Sequence, residues 1–143
     1  MSLTHKSRLK PGGPLRRRSK NKRAVTVLGL VTRLSKWALA SPCAHCGKRA
    51  DHSHHILTRG SQAGLKCCPE CVMPLCEDCH RFFHDCPATF KAWLEGEKPG
   101  LRDHLTLLAR TTWAKKPLDE VEAEIDRVTK RPWSEFWAEL EVA

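Results

Sequence analysis

The chain has 143 residues, of which 29% are charged and only 6% aromatic, with no tyrosine, eight cysteines and a net charge of +9. That is room for one small domain with extensions, and a domain of that size often needs a metal or disulfides to supplement a modest core. No run is long and apolar enough to cross a membrane, and Met1 to Arg23 lacks the apolar centre of a secretory leader. The cysteines are therefore expected to stay reduced in a cytoplasm, where CxxC pairs read as metal ligands rather than disulfides.

Residues 1–23 hold nine Lys/Arg and no Asp/Glu, and the rest of the chain balances at sixteen of each sign. The whole excess sits on one arm, with Arg16, Arg17, Arg18, Lys20, Lys22 and Arg23 at its dense end. The arm is too poor in aliphatic residues to fold alone, and its charge reads as a tether for nucleic-acid phosphates. A solubilising tail and a docking tail for an acidic protein are the other readings.

Residues 24–42 follow as an N-terminal helix. Val27, Leu30, Val31, Leu34, Trp37 and Ala38 recur at helical spacing, and Ser41-Pro42 stops the run. After the centre, residues 87–143 read as a helical extension. Pro87 opens a helix carrying Phe90, Trp93 and Leu94, which Gly96 ends. A second helix carries Leu101, Leu105 and Leu108, extending toward Trp113. Pro117 opens a third with Leu118, Val121, Ile125 and Val128 on one face, and Pro132 precedes an aromatic stripe of Trp133, Phe136, Trp137 and Leu140. These faces read as core.

Residues 43–86 hold the chemistry. CxxC knuckles at Cys43/Cys46 and Cys76/Cys79 each offer two thiolates from one turn, and four thiolates make a closed, structural zinc site. Cys68/Cys71 is a third such pair. Only four residues separate Cys71 from Cys76, too few to fold back comfortably around one ion, so the outer pairs are preferred. Cys67 and Cys86 remain, as buried thiols or with Cys68/Cys71 as a second site. His80 and His84 share one face of the helix that Cys79 begins, because i and i+4 stack. Two imidazoles there can grip a divalent ion and leave positions open. His54 and His55 are neighbours in an extended segment and point to opposite faces. One can bind the ion while the other faces across a cleft as a free base, a division that suits phosphodiester hydrolysis. His45 and His52 are not read as ligands, and His52 at most supports the site from outside. Arg59 follows four residues after His55 and reads equally as a phosphate contact or a solvated loop residue.

The order HHI (His54-His55-Ile56) then LCEDCHRFFH (Leu75 to His84) resembles the HNH, or ββα-metal, endonucleases. With a basic arm in front, it is most similar to phage recombination-associated nucleases of the Ref type. The resemblance implies an α+β fold, with a small ββα-metal core stapled by a four-cysteine zinc and flanked by helices on both sides. It implies His54, His80 and His84 as ligands of one catalytic divalent ion, His55 as general base, and Cys43, Cys46, Cys76 and Cys79 as the structural zinc cage. An all-imidazole set suits Zn, Ni, Co or Mn better than Mg, although Mg is compatible. DNA is the implied substrate, bound without strong sequence preference, with a recombinase or other DNA-processing protein as a further partner. The chain departs from the family at the middle Asn, which falls near Cys71; the sequence's single asparagine is Asn21. A zinc-stapled nucleic-acid adaptor without catalysis is the alternative from another class. A protein-interaction module built on the aromatic C-terminal helix is the third.

Overall fold

A computed structural model of the chain describes residues 22–57, 65–110 and 116–142. The basic arm through Asn21 (hence Arg16, Arg17, Arg18 and Lys20), Arg59 and Trp113 lie outside the described residues. Among the described residues six helices and two strands run in the order α1 (Lys22–Leu39), β1 (His52–His55), a 3-10 turn (Pro69–Cys71), β2 (Val72–Leu75), α2 (Glu77–Asp85), α3 (Pro87–Glu97), α4 (Leu101–Arg110), α5 (Leu118–Val128) and α6 (Trp133–Glu139). The mixture of a small antiparallel sheet with many helices is the expected α+β class.

The helical spacing in α1 is borne out. Leu30, Leu34, Trp37 and Ala38 are buried, with Val27 and Val31 packed against them. The helix starts at Lys22, so the last two residues of the expected arm belong to its first turn. Lys, Arg and Ala are good helix formers, and no Pro or Gly intervenes to stop them. α3 likewise runs through Gly96 to Glu97. An added Cβ at Gly96 would meet nothing within 4 Å, so it is an ordinary helical residue and not the stop. The helix stops at Lys98, which leaves helical φ/ψ immediately before Pro99, and Gly100, at a φ of +79° that only glycine adopts cheaply, turns the chain into α4. α2 begins at Glu77 with Cys76 as its N-cap, so Cys79 sits in the first turn and does not open the helix.

β1 and β2 pair antiparallel, with His52 opposite Leu75, His54 opposite Met73 and His55 opposite Val72. The Ile56 N–H donates to the Cys71 carbonyl at 2.8 Å, so alternation turns the backbone groups of Val72 and Pro74 away from β1. Pro74 is tolerated there because that outward position needs no N–H. Both outward carbonyls are taken: Ala44 N donates to Pro74 at 2.9 Å, and Trp133 Nε1 to Val72 at 2.9 Å. β2 is buried along its whole length. α1 packs on both strands and on α5, while α2 packs on β1 and α3. One apolar cluster runs from Leu30 through Met73, Phe83 and Leu101 to Phe136, so the outer helices share a core with the cysteine- and histidine-rich centre.

Candidate functional site

Four thiols converge first. The ligand atoms of Cys43, Cys46, Cys76 and Cys79 all lie within 4.8 Å of one another. The first knuckle is closed by Gly47 N donating to Cys43 O at 3.0 Å and Cys43 N to Lys48 O at 2.7 Å, with Gly47 at φ +77°. The second is the N-terminus of α2, where Cys79 N points at Cys76 Sγ at 3.4 Å. Free N–H groups at a helix start favour thiolate over thiol. Zinc–sulfur bonds of about 2.3 Å put tetrahedral sulfurs roughly 3.8 Å apart, and Cys46 and Cys76 already stand at 3.5 Å. Burial alone would raise the Cys43 thiol, but N–H donors from Cys46, Cys76 and His45 outweigh it and bring the group down to about 7. The Cys79 thiol is pushed up by burial and by the three neighbouring sulfurs with which it would share a proton. The donor set fits a structural zinc ion, as the outer-pair assignment expects.

Three imidazoles converge second. The ligand nitrogens of His54, His80 and His84 also lie within 4.8 Å of one another. His80 and His84 stand one turn apart on α2, and their Nε2 atoms are 3.1 Å apart. Two nitrogens at about 2.1 Å from one ion are separated by roughly 3.0–3.4 Å, so this spacing fits a shared ion. His54 reaches them from β1, its ring centroid 5.4 Å from His80 and 5.6 Å from His84. Burial, then the charges of His80, His84 and His55, pull His54 down to about 4. Burial, then His52 and His84, lower His80 as well. Such histidines are neutral near pH 7, the state in which imidazole ligates. Among the described residues three imidazoles meet here, fewer donors than a tetrahedral ion takes, so an ion held by them would keep a position for another oxygen.

His55 is next to His54 on β1, and strand alternation sends its side chain to the other face of the sheet. Its Nε2 is buried. His52, two residues before His54, shares the His54 face and lies flat on His80, with centroids 4.4 Å apart and planes 13° from parallel. Behind the imidazoles stands an aromatic wall. Phe90 meets His54 edge-on at 5.0 Å, Phe83 meets Phe90 at 4.8 Å, and Trp93 stacks on Phe83 at 5.4 Å.

The remaining cysteines join neither cluster. Cys68 is fully buried and donates its thiol proton to the Glu70 carboxylate at 2.9 Å. Burial and that carboxylate raise its pKa well above the ordinary value. Burial also pushes Cys71 up to about 11. Cys67 is buried with its Sγ 3.9 Å from Val27 O, and Cys86 caps the junction of α2 and α3. Of the two uses left open for these residues, the geometry favours buried thiols over a second site. Sequence reasoning missed Asp51, whose Oδ2 accepts the Glu77 N–H at 3.2 Å and caps α2, and His45, whose Nδ1 lies 3.2 Å from Cys79 Sγ. An acidic residue shortly before a strand carries no capping signal. A histidine inside a knuckle looks like surface until α2 is folded against it.

Among the described residues no helix is long and apolar enough to cross a membrane. A family model described as a protein of unknown function, DUF968, matches residues 18–106, a span that takes in α1, both knuckles and all three converging imidazoles. No curated protein and no solved structure matches the chain significantly.

Proposed function

The chain belongs to the DUF968 family, and from that premise we propose that it is a metal-dependent endonuclease of the HNH type that hydrolyses DNA phosphodiester bonds. The observation that carries this reading is the meeting of His54, His80 and His84, with His55 next to His54 on β1 and close enough to bear on its charge. His54 from β1 and His80 and His84 from α2 would hold the ion. A divalent ion there supplies positive charge to the phosphate and to the oxygen that leaves. His55 takes the proton of the attacking water. Because its Nε2 is buried, Nδ1 is the nitrogen assigned that task. The zinc cage fixes the start of α2 and with it the two ligands that follow Cys79. Arg59 and the basic arm, from Arg16 through Arg23, contact phosphates, which makes binding largely independent of sequence. The setting is a cytoplasm, with a recombinase or another phage or host DNA-processing protein as partner.

The burial of His55 Nε2 and the lack of an asparagine near Cys71 favour one second reading, a zinc-stapled adaptor that binds DNA without cutting it. Nicking of supercoiled plasmid with Mn²⁺, Co²⁺, Ni²⁺, Zn²⁺ or Mg²⁺ separates the two. The wild-type protein should nick, and His55→Ala should retain zinc and DNA binding while losing roughly a hundredfold or more in rate. Equal rates would remove His55 from the chemistry. Binding without cleavage under every metal would leave the adaptor.

A further inference from the structure

His45 sits within the first knuckle, Cys43-Ala44-His45-Cys46, and is exposed to solvent. The turn closed by Gly47 brings its ring over the first turn of α2. Its Nδ1 lies 3.2 Å from Cys79 Sγ. Its ring stands edge-on to Phe83 at 5.0 Å and to Trp93 at 5.4 Å, so the imidazole is held from two further sides. An ion of charge +2 among four thiolates leaves two negative charges, carried by sulfur. Sulfur in that state accepts hydrogen bonds well, and each N–H donated to it stabilises the metal-bound thiolate and makes it a poorer nucleophile.

We propose that His45 is a positioning residue of the four-cysteine site, donating Nδ1–H to Cys79 Sγ so that this thiolate stays on zinc and resists electrophiles. The proposal rests on the cage holding zinc and is independent of whether the three-imidazole site performs catalysis. Cys79 is the right thiolate to guard, because it lies in the first turn of α2 immediately before His80. A loosened Cys79 frees the helix that carries His80 and His84. Phe83 and Trp93 set the ring's angle, and the hydrogen bond supplies the hold on sulfur.

Two substitutions separate the bond from the packing. His45→Phe keeps a ring against Phe83 and Trp93 but has no donor. His45→Gln gives up the ring and keeps an N–H. Zinc content is measured first by elemental analysis, then zinc transfer to the chelator 4-(2-pyridylazo)resorcinol. Transfer is followed alone and with iodoacetamide, whose methylene carbon bonds to the attacking thiolate sulfur as iodide departs. His45→Phe should surrender zinc about tenfold more readily and alkylate faster at Cys79, located by peptide mass spectrometry. His45→Gln should recover much of the wild-type behaviour. Wild-type retention in His45→Phe would overturn the proposal, as would a His45→Gln protein as labile as His45→Phe. Absence of stoichiometric zinc in the wild-type protein would overturn the cage and the proposal together, whatever the plasmid assay shows.

Discussion

His54 and His55 are the same residue type one position apart, and the pleat of β1 gives them different work. His54 turns toward α2, where burial and three other imidazoles hold it neutral, while His55 turns to the opposite face. His52 shares the His54 face and lies flat against His80, yet it is not among the three converging imidazoles. Its stacked ring covers one face of His80 and restrains that imidazole from swinging about χ2. His52→Ala should therefore weaken divalent-ion binding at the imidazole site by about tenfold, whereas His52→Phe, which keeps a flat ring there, should bind nearly as the wild type does. Titration with Co²⁺, followed by absorption with the four-cysteine zinc left in place, measures this directly. Equal affinity for all three proteins would leave the stack without a role in ligation.

At the scale of elements, β2 is the piece most dependent on distant chain. Its outward carbonyls are capped by Ala44 from the first knuckle and by Trp133 from α6, which lies 61 residues away. Trp133→Phe keeps most of the buried ring but leaves the Val72 carbonyl buried with its donor gone. The expected loss is about 1–3 kcal/mol in urea unfolding, with the zinc content unchanged; an unaltered midpoint would show that water replaces the indole. Contacts of this kind set the limit of what could be read beforehand. The helices were legible because Pro87, Pro117 and Pro132 mark their starts and apolar residues recur along one face. The two clusters were legible because the CxxC, HH and HxxxH spacings are local. β2 was not, since four residues containing a proline give no strand signal until a partner strand and an edge cover exist. His45 on Cys79, Trp37 Nε1 on Arg131 O at 2.7 Å and Trp133 on Val72 join residues whose separation no periodicity encodes.

At the scale of the whole molecule, α1 and the C-terminal helices close around the same core. Arg33 pairs with Asp126 across α1 and α5, and Trp37 meets Phe136 edge-on at 5.2 Å. The zinc cage and the imidazole site are consequently built on a single apolar cluster, while the excess positive charge is concentrated at the end of the chain that leads into α1. Folding and phosphate binding should therefore be separable by truncation, provided the cut respects the helix. Lys22 and Arg23 begin α1, so the cut belongs after Asn21. Removing residues 1–21 takes away seven Lys/Arg and no acid. If each of those charges displaces one counterion from duplex DNA, the slope of log K against log salt should flatten by up to about six. Thermal unfolding and zinc content should stay at full-length values, because the buried cluster and the four cysteines seen among the described residues all follow Asn21. Fluorescence-anisotropy titrations across a salt series test the pair of expectations together. Unchanged affinity and slope in the truncated protein would show that the arm serves a partner other than DNA, and a lost zinc fold would show that it belongs to the core.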